Sequence, residues 1–183
     1  MENPINKFYS SFTDGATKEV PAIKDITKRR IQIPELYKDK KILVVGDAFS
    51  HESNFMRSLG FQNITSTIKH EREAKIGSPI ICDLHSLPFA DAEFDFVFCS
   101  HVLEHCVAPL IALREIYRVL NSSGEALLWM PYSDKSQKVA YHLSCFRPAV
   151  WNDLIRKAGF GTFKEENYKP REEWGYWVRK IIK

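Results

Sequence analysis

Four polar residues, Ser100, His101, Glu104 and His105, follow directly on an apolar run, Phe94–Cys99. Histidine is the side chain best suited to moving protons near neutral pH, and a neighbouring hydroxyl or carboxylate can orient the ring or a ligand. His101 and His105 stand four apart, so they share a face if the segment is helical. That spacing around Glu104 could suggest a metal site, but HVLEH is not the HExxH order of a zinc protease, and no metal is expected. His105 also has a plainer role open to it, a ring bond to backbone at the start of the following helix. Tyr132 and Ser133 come straight after a second apolar run, and His142 and Arg147 lie a little further on. Arg147 would suit an anionic ligand, although an exposed arginine near a helix start is the commoner case.

The elements that must hold these groups follow from hydrophobic spacing. The run Phe94–Cys99, an amphipathic helix over Ala108–Leu120, a turn at Asn121–Gly124 and a strand over Glu125–Met130 make a βαβ unit, the building block of a parallel sheet. In open parallel sheets ligands bind just beyond the carboxyl ends of the strands, which is where the polar cluster falls. Upstream, the continuous apolar run Lys41–Gly46 reads as a strand covered on both faces. A helix from Ser50 or His51 to Leu59 follows, with Ser50 as N-cap and Gly60 as stop. Strands are expected at Asn63–Ile68 and Pro79–Cys82. Only ten residues separate them, too few for a long crossover helix, so that side of the sheet should be thinly covered. Arg147–Ala158 reads as a helix with Pro148 in its first turn and Gly159 past its end. Phe160–Tyr168 and Trp174–Ile182 are the last two strands. The class is α/β.

With 183 residues the chain fits one domain with a proper core. Residues 1–40 read as a polar extension, with a short helix over 22–31, and residues 41–183 as the domain. The net charge of +3 is spread along the chain apart from Lys28-Arg29-Arg30, so no nucleic-acid partner is expected. No apolar run approaches a membrane span, and the first ten residues lack a signal-peptide pattern. The four cysteines show neither CxxC pairing nor zinc-type spacing and suit a reducing interior, so a cytoplasmic location is expected. Oligomeric state is not legible, with a homodimer left open. Trp151, Trp174, Tyr176 and Trp177 read as core or strand-pair aromatics.

The phrases Asp83-Leu84, Leu87-Pro88-Phe89, Phe94-Asp95, His101-Val102-Leu103-Glu104-His105 and Glu115-Ile116-Tyr117-Arg118-Val119-Leu120 together resemble the class I methyltransferase domain that uses S-adenosylmethionine. The resemblance is to the type 11 subgroup related to ubiquinone and menaquinone methyltransferases. It implies a Rossmann-like, doubly wound, mostly parallel seven-stranded sheet of order 3-2-1-4-5-7-6 with helices on both faces, closed by an antiparallel hairpin. It further implies S-adenosyl-L-methionine as cofactor, with S-adenosyl-L-homocysteine as product. A small-molecule acceptor is expected, with residues 1–40 as a lid over the cleft.

The resemblance also implies which residues touch the cofactor. The family writes the turn after its first strand as acidic-x-Gly-x-Gly-x-Gly; here the aligned stretch is Val44 to Ser50, with Gly46 kept, Ala48 and Ser50 in place of the later glycines, and Asp47 beside the first. The family ends its second strand with an acid that holds the ribose hydroxyls, where this chain has Ile68, with Glu71 three residues late. Loss of that charged contact should weaken binding by roughly 1.5–3 kcal/mol. Asp83 would take the adenine amino group, with the Leu84 amide on the ring; the alternative for Asp83 is capping a turn. Ser100 and His101 would lie near the methionine part. His101, His105 and Tyr132 are the candidates for the chemistry. Asp95, Glu115 and Arg118 read as scaffold, the last two as a weak pair on one helix face.

Two other readings stay open beside methyl transfer. One is a methyltransferase-like protein that has lost catalysis and serves as a binding or regulatory partner. The other is an enzyme on the same fold using another nucleoside ligand, as aminopropyl transferases do.

Overall fold

The computed structural model describes residues 33–71, 78–132, 140–168 and 173–180. The short helix expected at 22–31 lies outside them, as does most of the extension expected over 1–40. Among the described residues there are seven strands: β1 (Ile42–Val45), β2 (Ile64–Ile68), β3 (Ile80–Ile81), β4 (Phe94–Ser100), β5 (Leu120–Pro131), β6 (Phe160–Tyr168) and β7 (Glu173–Lys180). Among the same residues, three helices of two turns or more are α1 (His51–Ser58), α2 (Pro109–Val119) and α3 (Pro148–Ala158). The sheet runs β3-β2-β1-β4-β5-β7-β6, the order expected above. Pairings among β1 to β5 are parallel, and β7 is antiparallel to both its neighbours. The order reverses between β1 and β4, so the crevice for a ligand opens at their carboxyl ends.

Strand alternation sorts the core into two faces. Leu43, Val45, Val97, Cys99, Ala126 and Leu128 share a fully packed layer with Leu113 and Ile116 of α2 and Trp151 and Ile155 of α3. Phe96, pointing the other way, meets Tyr37 with ring centroids 4.9 Å apart, and Met56 of α1 is completely buried. The edge strand β3 has only two residues, Ile80 and Ile81, both exposed. Most of the connection from β2 to β3, on which the expectation of thin cover rests, lies outside the described residues.

The turn expected at Asn121–Gly124 is instead part of β5. Leu120 pairs with Phe94, and the next partners are Phe96 and Glu125. Residues 121–124 therefore bulge from a ladder that begins where α2 ends. Asn121 stabilises the bulge by donating from Nδ2 to Asp95 Oδ1 at 2.8 Å, while Asp95 Oδ2 accepts from the Lys41 amide. Asp95 thus ties the starts of β1, β4 and β5 together, a scaffold role.

Arg118 does far more than pair weakly with Glu115. Its guanidinium grips the Glu115 carboxylate through Nε and Nη2 at 2.9 and 2.8 Å. It also donates to the carbonyls of Leu87 and Phe89 and to Asp91. Glu115 in turn accepts from the Leu87 amide. Helix α2 so staples the segment Leu87–Asp91, which runs on from Asp83 and Leu84. Among the described residues no helix is long and apolar enough to cross a membrane.

Candidate functional site

The tip of β1 sets the site. Gly46 has φ +70°, and a Cβ there would collide with the Val102 side chain. Only glycine lets the segment after β4 lie this close to β1. The turn beyond keeps left-handed backbone without glycine: Phe49 and Ser50 have φ of 61° and 55°. Ala48, half-buried, starts a short 3-10 turn.

Ser50 stands at the N-cap position of α1 but its side chain makes no cap bond. Asp47 does that work, with Oδ1 accepting from the amides of Glu52 at 3.0 Å and Ser53 at 3.4 Å. An aspartate can reach over a turn to satisfy helix N-terminal donors and favours the positive end of the helix dipole. Its Oδ2 is buried with no hydrogen-bond partner among the described residues.

An open cleft lies beyond the strand tips, lined by Gly46, Ile68, Asp83, Leu84, Val102 and His105, with Cys82 and Cys106 among the remainder. Gly46, Ile68, Asp83, Leu84 and His105 were expected from the sequence to be site residues, and the fold brings these five together. Asp47, Ala48, Ser100, His101 and Tyr132 do not line this cleft. Tyr132 is exposed just after β5, and Ser133 lies outside the described residues. Arg147 is exposed at the start of α3, with no side-chain cap bond.

Asp83 both lines the cleft and caps a turn. Its Oδ1 accepts from the His85 amide at 2.9 Å and is bonded to His85 Nδ1 at 2.6 Å. The backbone bond, then the ring bond, hold its carboxyl below the usual range. His85 Nε2 accepts from the Ala108 amide at 3.3 Å, so the ring bridges the Asp83 turn to the segment entering α2. Burial raises both cleft thiols, Cys106 to about 12. Burial thus disfavours the thiolate at both, which makes them poor nucleophiles.

Beyond β4 the chain turns sharply. His101 has φ 56°, and its amide donates to Trp129 at the end of β5. A non-glycine residue held there costs energy that the surrounding packing must offset, a pattern that clusters at functional sites. Residues Leu103–His105 form a single 3-10 turn, not an α-helix, so His101 and His105 do not share a helix face. They flank Glu104 instead: Oε1 lies 3.1 Å from His101 Nδ1 and 4.0 Å from His105 Nε2. Glu104 is fully buried, and Oε2 has no hydrogen-bond partner among the described residues. Burial works against its charge, but the His101 bond and the neighbouring imidazoles more than compensate, leaving the carboxyl below its usual range. His105 Nδ1 is bonded to the Tyr141 carbonyl at 3.1 Å. This is a backbone bond of the kind foreseen, but to a distant segment rather than to the next helix.

Sequence reasoning missed the place of His85 and the burial of Glu104. Asp-x-His with the Asx-turn geometry was a usable signal for the first. Nothing in the sequence pointed to the second.

The residues present fit the base end of an adenosyl ligand. Ile68, Leu84 and Val102 give apolar walls for a flat base, Gly46 permits close backbone approach, and Asp83 offers a carboxylate at the cleft wall. Ser100 Oγ, at the tip of β4, has no hydrogen-bond partner among the described residues. The fit is poorest at the ribose, since Ile68 is aliphatic and buried at the tip of β2.

Comparison with known proteins agrees with this geometry. Residues 45–128 match the family profile described as a methyltransferase domain. Over 71 residues the chain is 35% identical to the tRNA U34 carboxymethyltransferase of Nautilia profundicola, which covers 39% of this chain and 22% of the relative. The chain spans less than half the length of the curated relatives it matches. Among solved structures, a chain from the Haloferax volcanii complex that contains the Trm112 methyltransferase activator superposes with a TM-score of 0.78 at 12% identity, covering 97% of this chain and 96% of its own. The Burkholderia thailandensis 1,6-didemethyltoxoflavin-N1-methyltransferase, with its substrate and S-adenosylhomocysteine bound, gives 0.69 at 17% identity over 97% and 87%. At such identities the superpositions establish the fold.

Proposed function

We propose that this chain transfers a methyl group from S-adenosylmethionine to a small-molecule acceptor, a reading supported by the match of residues 45–128 to the methyltransferase-domain profile and by the fold shared with solved methyltransferases. One observation carries the reading. Gly46, Ile68, Asp83, Leu84 and Val102 converge on a single open cleft at the strand-order reversal. Bound S-adenosylmethionine supplies an electrophilic methyl on a good leaving sulfur. The work left to the protein is to hold donor and acceptor in line, and orientation of this kind accounts for most of such an acceleration.

In this reading Asp83 accepts from the adenine amino group and the Leu84 amide faces the ring. Gly46 lets the backbone close on the ligand. His101 is held by Glu104 through Nδ1 with its Nε2 buried behind the cleft wall, and in this reading it takes a proton from a hydroxyl or ammonium acceptor once ligand binding uncovers Nε2. His105 shapes the rim of the cleft.

The test is calorimetric titration with S-adenosylmethionine and S-adenosylhomocysteine, followed by transfer of labelled methyl to a panel of small acceptors. Both ligands should bind, and His101→Ala should slow turnover far more than it weakens cofactor affinity. Equal losses would remove His101 from the chemistry. A second reading, a binding or regulatory protein without catalysis, draws support from Ile68 in place of a ribose-holding acid. No binding heat from either ligand at millimolar concentration would favour it.

A further inference from the structure

We propose that Glu104, His105 and His142 form a site for one divalent transition-metal ion of the zinc class, at the rim of the cleft. The inference does not rest on methyl transfer. HVLEH has no HExxH order, and the sequence led to the expectation of no metal. The fold supplies a third donor that spacing cannot reveal.

One ligand atom from each of these three residues lies within 4.8 Å of the others. A tetrahedral zinc ion with bonds of roughly 2.0–2.2 Å needs donors roughly 3.4 Å apart, so side-chain rotation alone can close the set. Two of the three donors are prepared. The His105 Nδ1 bond to the Tyr141 carbonyl requires the proton on Nδ1, which leaves the Nε2 lone pair directed away, on the Glu104 side at 4.0 Å from Oε1. Metal-binding histidines are oriented in this way by a carbonyl on their other nitrogen. Glu104 is fully buried with Oε1 bonded to His101 and Oε2 bare. A buried carboxylate oxygen without a partner is costly, and a cation is one means of satisfying it.

His142 is brought to the pair by backbone rather than by chance. The Ser144 amide donates to the Glu104 carbonyl at 2.9 Å, and Ser144 Oγ to the Cys106 carbonyl at 2.8 Å. The His142 ring lies 5.0 Å from that of His105 at 68°, an edge arrangement that lets two imidazoles share a point instead of stacking. Two nitrogens and one oxygen favour zinc, cobalt or nickel over magnesium or calcium, which prefer oxygen alone. Three protein ligands leave a fourth position for water or a ligand oxygen. Because His105 also lines the cleft, that ion stands beside whatever the cleft holds.

The experiment uses the full chain, untagged and stripped with chelator, titrated with zinc chloride by calorimetry and with cobalt chloride by visible absorption. One zinc per chain should bind, and cobalt should show the intense bands of a low-coordinate nitrogen–oxygen site. His142→Ala should weaken zinc by more than roughly 100-fold, since even the outer partners of a ligand are worth roughly 10- to 100-fold. Glu104→Gln should do the same. His142→Gln is the second variant should His142→Ala lose its native circular dichroism. His51→Ala, on the exposed start of α1, should leave zinc affinity unchanged. Absence of zinc binding, equal binding by wild type and either His142 variant, or preference for magnesium would each overturn the proposal.

Discussion

Replacing Gly46 by alanine tests the close approach on which the cleft depends, and Val102→Ala should rescue it. Two costs arise at once. The backbone at φ +70° is left-handed, which costs an L-residue about 1–2 kcal/mol. The new methyl would also overlap Val102 Cγ2 and sit 3.4 Å from both Cβ and Cγ1. Overpacking of this sort costs about 1–3 kcal/mol, giving about 2–5 kcal/mol in all. Val102→Ala alone should cost about 1 kcal/mol in lost apolar contact. In the double variant the overlap is gone and only backbone strain and lost contact remain, about 2–3 kcal/mol. The sum of the single effects should therefore exceed the double by about 1–3 kcal/mol, measured by urea denaturation as a double-mutant cycle. Strict additivity would refute the contact, and a Gly46→Ala protein as stable as wild type would refute the strain as well.

Arg118→Met should lower stability by about 3 kcal/mol, because it strips a buried-side carboxylate and two loop carbonyls of charged donors. For a chain of this size that is a melting decrease of about 6–12 °C, whereas Arg114→Ala on the exposed face of the same helix should stay within about 0.5 kcal/mol. Ser50→Gly relieves a left-handed residue and should leave stability unchanged or raise it by up to about 1 kcal/mol in the same denaturation assay. Asp83 titrates below an ordinary aspartate, so its contribution to stability is complete above about pH 4 and lost as pH falls through the lowered value. Carbon-detected NMR of its carboxyl should show that low midpoint, and His85→Ala should move the midpoint back up.

The sequence made the architecture legible because strand runs such as Ile42–Val45 and Phe96–Cys99 are continuous and apolar, and because Pro148 and Gly159 punctuate α3 from both ends. Short-range chemistry was less visible. Ser50 looked like the cap of α1, and only the left-handed turn at Phe49 and Ser50 decides that Asp47 reaches the helix amides instead. Arg118 looked like half of a weak helix pair because spacing shows Glu115 and hides Leu87 and Phe89, whose carbonyls arrive from another part of the chain. The residues around the cleft were foreseen where they sit at strand ends, as Gly46, Ile68 and Asp83 do. His142 entered no motif, since its place beside Glu104 and His105 depends on one backbone bond from Ser144. Tertiary contacts between distant segments leave no period in a sequence.

The sheet is finished out of order. β7 is later in the chain than β6 yet lies between β6 and β5, and Tyr176, Val178 and Lys180 bury their side chains from it. During synthesis β5 must therefore wait with an open rim while β6 emerges, for β6 has no place to dock until its successor arrives. A nascent chain halted before Glu173 would expose a long apolar ribbon, a natural target for chaperones and proteases.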